Sequence, residues 1–307
     1  MFWHATIMKV KSNDSFKILQ WNARSLSSNL LSFEHYVQEG NYSVLALQSL
    51  NVERHRLPNL ENYFYPPLYS INDANKKVQS ALYIKCNLEY TQIVPFPVPQ
   101  ENKGIFTTGA EIKVNKDTLY NVLSVYYPSG PKEDNTDWIK NADLTKKKWI
   151  IVGDFNAHAP FWDSECSKVS CNRFVENIID SCLILLNDGR ITRIPDISTH
   201  KPSAIDLSLV SPSLAVKCKW FTEDDCLGSD HLPITIVFND DINNEVTDIE
   251  DKIPKFNYKL ANWDAFQAYL ALYDTSFVDN DDVNLVHTNF CKVVLLAAVL
   301  SIPKRKF

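Results

Sequence analysis

With 307 residues, 45% of them hydrophobic and 12% aromatic, the chain can bury a full core, and its 7 Gly and 15 Pro exclude a collagen-like or low-complexity polymer. The formal net charge of −6 argues against a generic nucleic-acid binder, although the acidity is uneven: residues 240–307 carry 7 Lys and Arg against 11 Asp and Glu, leaving 24 against 26 for residues 1–239. The cysteines, Cys86, Cys166, Cys171, Cys182, Cys218, Cys226 and Cys291, form no C-x-x-C pair and hence no zinc spacing, and read as reduced intracellular thiols.

Residues 1–15 read as a tail, since "MFWHATIMKVKSND" lacks the apolar core of a signal peptide. From there, short apolar runs bounded by polar or turn residues recur as "FKILQW", "YSVLALQS", "SALYIK", "YNVLSVYY", "WIIVGDF", "AIDLSLV" and "LPITIVF", and each reads as a strand. Leu26 to Glu39 reads as a helix closing on Gly40. Phe174, Val175, Ile178, Ile179, Cys182, Leu185 and Leu186 follow the spacing of one helix face before Gly189, a packing stripe with no functional role. Adjacent strand pairs at 79–94 and 106–126 favour two sheets covered by helices over an alternating βαβ wheel.

A main domain at 16–238 ends at "NDDINNEVTDIED", whose six acids and no base mark an acidic linker at 239–252. Beyond it, "NWDAFQAYLALY", following an Asn262 cap, and "VNLVHTNFCKVVLLAAVLS" have helix-forming composition, so 253–307 reads as a helical appendage. The longest apolar run, "VVLLAAVLSI", is about half the length of a membrane helix, which makes the expectation a soluble, intracellular protein with no membrane partner.

Polar residues gather where the strands end. "LQWNARS" supplies Asn22, "SVYYPSG" Tyr126, "VGDFNAH" Asp154 and Asn156, "AIDLSLVS" Asp206, and "LGSDHLPI" Ser229, Asp230 and His231. Singly these carry little, because an Asp at a strand end is usually a cap or turn residue, a lone His is more often a satisfied core or surface group, and Tyr126 could fill a strand face. Together, Gly-Asp-x-Asn and Ser-Asp-His bring carboxylate, amide and imidazole to one sheet edge.

In their order over residues 16–238 these motifs resemble the endonuclease/exonuclease/phosphatase superfamily, specifically the apurinic-endonuclease-like domain of non-LTR retrotransposon polyproteins. "LNDGRITRI" and "IDLSLVSPSLA" resemble that branch most, and "FNYKLANWDAFQAYL" resembles the connector that leads into a reverse transcriptase, before which the likeness stops. The resemblance implies a DNase I-like four-layer α/β (α+β) sandwich, two facing mixed β-sheets flanked by helices, with a C-terminal helical appendage. It implies a Mg²⁺-dependent phosphodiesterase (Mn²⁺ being the substitute ion) that nicks DNA, with retrotransposon RNA or protein as further partners, no small-molecule cofactor, and a nuclear site of action on chromosomal DNA.

By the same resemblance, His231 pairs with Asp206, Asp154 orients or deprotonates the attacking water, Asn156 and Tyr126 hydrogen-bond the phosphate, and Asn22 and Asp230 surround the metal. Two positions depart from the pattern. Ser49 in "LALQSL" stands where the family has its principal metal ligand, a Glu, and Gln79 and Ser80 stand where two glycines are usual. Glu53, four residues on from Ser49, reads as a loop residue on the wrong side of the strand end for easy substitution. Loss of that anion weakens metal binding, so the alternative is a domesticated or decayed remnant that keeps the fold and nucleic-acid binding but is catalytically impaired.

Overall fold

The computed structural model describes residues 15–93, 104–133, 135–141, 147–160, 162–163, 171–181, 183–196, 201–215, 217–238, 260–271, 290, 293–294, 297–298 and 300–303. The expected tail up to residue 14 and the linker at 239–252 lie outside the described residues, and the appendage is described in part.

Two six-stranded sheets face each other. The first runs in the order β11 (Cys218–Thr222), β12 (Ile234–Phe238), β1 (Phe16–Asn22), β2 (Val44–Glu53), β4 (Lys77–Ile84), β3 (Leu68–Asn72). The second is β5 (Glu89–Gln92), β6 (Phe106–Asn115), β7 (Thr118–Tyr126), β8 (Trp149–Asp154), β10 (Asp206–Val210), β9 (Ile184–Leu185). Both are mixed, with parallel β1–β2 and β7–β8 pairs at their centres and antiparallel neighbours around them.

The two-residue side-chain period of a strand explains the layering. Ile18, Val44, Ala46, Leu82, Val122, Ile150 and Val152 fill the space between the sheets. The alternate positions Leu19, Trp21, Leu45 and Leu47 face α1 (Leu26–Gly40), whose Phe33 stacks on Trp21 at 5.2 Å. On the far side Leu123, Val125, Ile151, Leu207 and Leu209 pack with α2 (Trp138–Asn141) and α3 (Asn172–Ile179), which completes the four layers. Each fully buried side chain of this size is worth about 1.5–3 kcal/mol relative to exposure.

All seven expected strands form, but three local readings change. Residues 79–94 are no hairpin: β4 pairs with β2 and β3, whereas β5 crosses to the other sheet and pairs with β6. The helix stripe from Phe174 stops at Ile179, because Ile184 and Leu185 pair with Val210 and Leu209 and the ladder overrides the helical period. Gly40 is the last residue of α1, and it is Asn41 that takes the left-handed turn, at φ 52°.

Asn262 caps α4 (Trp263–Ala271) as expected, its Oδ1 accepting from the Ala265 N–H at 3.0 Å. The C-terminal segment is not set apart from the body. Val293 belongs to the core between the sheets, and Leu270 and Leu300 pack against it. Among the described residues no helix is long and apolar enough to cross a membrane, and Cys86, Cys171, Cys218 and Cys226 are free.

Candidate active site

The inner faces of the strands change character along their length. On β1 the sequence of inward positions is Ile18, Gln20, Asn22; on β7 it is Val122, Ser124, Tyr126; on β8 it is Ile150, Val152, Asp154; and on β10, read backward, it is Val210, Ser208, Asp206. Apolar packing thus gives way to a polar layer and then to the site. Within that layer Gln20 donates to Gln48 Oε1 at 2.8 Å, Gln48 to Ser124 Oγ at 2.8 Å, and Ser124 meets Ser80 at 2.9 Å, which ties the two sheets together.

Register aligns the end residues. Tyr126 is opposite Asp154 and Asp154 is opposite Asp206 in one sheet, while Asn22 is opposite Gln48 in the other. The bare glycine before Asp154 has a steric cause: at Gly153, with φ 155°, a Cβ would lie 1.8 Å from the Val125 carbonyl oxygen.

Asp154 is held from both sheets. Asn22 donates to its Oδ2 at 2.7 Å, and Asn156 donates to Oδ1 from its backbone at 2.9 Å and to Oδ2 from its amide at 3.1 Å. Burial, then the charge of Asp206, push the Asp154 carboxyl up to about 7, against the opposing pull of His231 and these donors. His231 Nδ1 lies 2.8 Å from Asp206 Oδ2, which also accepts the Thr192 hydroxyl at 2.7 Å, and Gln20 donates to Asp206 Oδ1 at 3.2 Å. Burial lowers the His231 imidazole, but Asp206, Asp154 and Asp230 together outweigh it and raise it to about 9.

The remaining expected residues are close by. Tyr126 donates to Ser49 Oγ at 3.3 Å, and burial, reinforced by the charges of Asp154 and Asp230, raises its phenol and keeps it a neutral donor. Ser49 itself sits left-handed, at φ 54°, in the bulge after Gln48. Asp230 Oδ2 accepts Arg193 Nε at 2.9 Å, and its Oδ1 lies 3.6 Å from Arg24 Nη1 and 3.9 Å from His231 Nε2. Glu53 is not in a loop: it ends β2 opposite Lys77, past the bulge, half exposed beside His55, and Arg54 lies over the Tyr69 ring.

The family model described as "Endonuclease-reverse transcriptase" matches residues 120–235, which include Tyr126, Asp154, Asn156, Asp206, Asp230 and His231. A curated relative, the probable RNA-directed DNA polymerase from transposon BS of Drosophila melanogaster, is 23% identical over 93% of this chain, and the chain spans 31% of its length. Among solved structures, the endonuclease domain of TRAS1, a telomere-specific non-LTR retrotransposon, covers 73% of this chain and 98% of its own at a TM-score of 0.57 and 17% identity. The Xenopus laevis APE2 catalytic domain covers 73% and 92% at 0.56 and 14%.

The family match covers residues 120–235 of the 307, and the structural likeness shows the expected fold, a DNase I-like four-layer sandwich.

In this domain a divalent ion would have two places. Asp154, Asp206 and His231 form, among the described residues, an acidic and imidazole group whose ligand atoms lie within 4.8 Å of one another. Their carboxylate oxygens are committed to the donors described above, and an ion there would have to break the His231–Asp206 pair. At the expected position, Asn22 Oδ1 accepts the Arg24 N–H at 2.9 Å, Ser49 is neutral, and Asp230 is met by two guanidinium groups. As they stand, neither set fits a divalent cation.

Four residues of the domain's site escaped the sequence reading: Gln20, Arg24, Thr192 and Arg193. Arg24 and Arg193 stand inside quoted motifs, "LQWNARS" and "LNDGRITRI", where basic side chains beside carboxylates were a usable signal. Gln20 and Thr192 stand in the same two motifs, but nothing in either points to the Asp206 partner, 186 and 14 residues away.

Proposed function

We propose that the chain is a phosphodiesterase that nicks DNA. One observation carries the reading: Asp154 on one sheet is bound at 2.7 Å by Asn22 of the other, beside a His231–Asp206 pair, so that a base, a cation and their positioning groups share one sheet edge. Asp154, raised towards neutrality, orients and deprotonates the attacking water. His231, held protonated by its carboxylates, donates to the phosphate oxygens as charge develops, with Asp206 fixing the ring. Tyr126 donates from the flank. Asn156 serves Asp154 directly, since its amide is spent on Asp154 and on the Tyr127 carbonyl at 2.9 Å.

Dependence on Mg²⁺ or Mn²⁺, which the resemblance implies, has the least support in the donor set. That observation favours a second reading, a domain that keeps fold and DNA binding with cleavage impaired by Ser49. The test is relaxation of supercoiled plasmid. Asp154→Ala and His231→Ala should each lower nicking by at least about a hundredfold, and Cys171→Ala should leave it intact. Nicking that survives His231→Ala refutes the mechanism, and none by the unaltered protein selects the second reading.

A further inference from the structure

The oxygens that would hold a dication are held instead by the protein's own cations. Arg24 enters from the turn between β1 and α1, and Arg193 from the segment before β10; they meet the two oxygens of Asp230 at 3.6 and 2.9 Å. A divalent ion brought to that single carboxylate faces two like charges, with no second anion at Ser49 to offset them. The backbone N–H of Arg24 is bonded to Asn22 Oδ1, so the same residue that supplies one guanidinium also occupies the neutral ligand.

Both guanidinium groups keep donors in reserve. Among the described residues Arg24 makes its contacts through Nη1 alone, leaving Nε and Nη2, and Arg193 through Nε alone, leaving both Nη atoms. Asp230 is 5% exposed and anchors the inner ends, while the arginines are 54% and 31% exposed and reach solvent. The outer partner of Arg24, Asp196, is 64% exposed, and an ion pair that open is weak enough for a stronger anion to displace it. A fork of planar donors matches phosphate geometry.

The geometry points to a metal-free phosphate clamp: Arg24 and Arg193, aligned by Asp230, bind the DNA backbone next to His231 where a dication would otherwise supply the positive charge. This deepens the site proposed above and rests on DNA being its substrate.

The experiment is fluorescence anisotropy of a labelled DNA duplex with the whole 307-residue chain, in EDTA and in Mg²⁺, over a salt series. Binding is expected in EDTA with no tightening on Mg²⁺. Arg24→Ala and Arg193→Lys should each weaken it about tenfold, and Arg24→Ala should lower the slope of log affinity on log salt by about one. Lys113→Ala, on the outlying β6, should change affinity less than about twofold. Binding that appears only with Mg²⁺, that Arg24→Ala leaves unchanged, or that falls equally in Lys113→Ala overturns the clamp. Plasmid relaxation on the same samples separates the two proposals. Arginine-dependent binding without nicking leaves the clamp and removes the hydrolase, whereas Mg²⁺-dependent nicking with arginine-independent binding does the reverse.

Discussion

Ser49 decides how this site differs from the family pattern, because its left-handed backbone in the β2 bulge points a neutral hydroxyl at Tyr126 where an anion is expected. Ser49→Glu should therefore make nicking Mg²⁺-dependent and raise it about fivefold or more, the equivalent of one carboxylate worth about 1 kcal/mol near Asp230. Plasmid relaxation against Mg²⁺ concentration reads this, and equal titrations for the two proteins would place residue 49 away from any metal. A pH effect follows from the two coupled groups. His231 rises from 6.5 to about 9 on folding, so its stabilising contribution is complete below 6.5 and is lost as pH rises through 9. Asp154 rises from 3.8 to about 7, so the neutral form is favoured in the fold and stability again falls as pH rises through 7. Both act in one direction but in successive windows: the unfolding free energy in chelator should decline from about pH 4 to 7 through Asp154 and from about 6.5 to 9 through His231, and His231→Asn should flatten the upper decline. Denaturant melts across the range test it; a slope that His231→Asn leaves unchanged assigns the effect elsewhere.

The strand is the unit that turns apolar packing into chemistry. Because side chains alternate, one inward row on each of β1, β7 and β10 runs from core to polar layer to site, on β8 it runs from Ile150 and Val152 directly to Asp154, and the ladder sets the rows level with one another. At Gly153 any Cβ would run into the Val125 carbonyl of β7, so Gly153→Ala should cost at least about 3 kcal/mol, or prevent folding, although it removes no site group. Urea denaturation measures the loss, and a cost below about 1 kcal/mol would mean that β8 shifts freely and does not hold Asp154 rigidly. These strands were readable as apolar runs, and so was the position of each polar residue at a run's end. Pairing was not: β5 follows β4 in the chain yet joins the opposite sheet, and Ile184 and Leu185 continue a helical spacing yet pair with β10.

The whole molecule couples its C-terminal helices to the body. A catalytic unit at 16–238 with a dispensable helical connector remains our proposal, but Val293, Leu270 and Leu300 lie on the core between the sheets. A fragment ending at Phe238 should fold and bind DNA while losing about 2–5 kcal/mol, the worth of those partly buried aliphatic groups. Thermal melting and anisotropy check this; a fragment that fails to fold makes the helices part of the domain, and an unchanged melting temperature denies the contact any weight. Amino-acid order alone specified which chemistry was present: Gly-Asp-x-Asn, Ser-Asp-His and the missing Glu are contiguous signals, readable because each motif is set by local geometry at one strand end. It could not specify what each group is bonded to. Gln20 reaching Asp206, Asn22 reaching Asp154 across the sheets, and Arg24 and Arg193 closing on Asp230 join residues up to 206 apart, and such partners are chosen only when two sheets pack and burial obliges every polar group to find one.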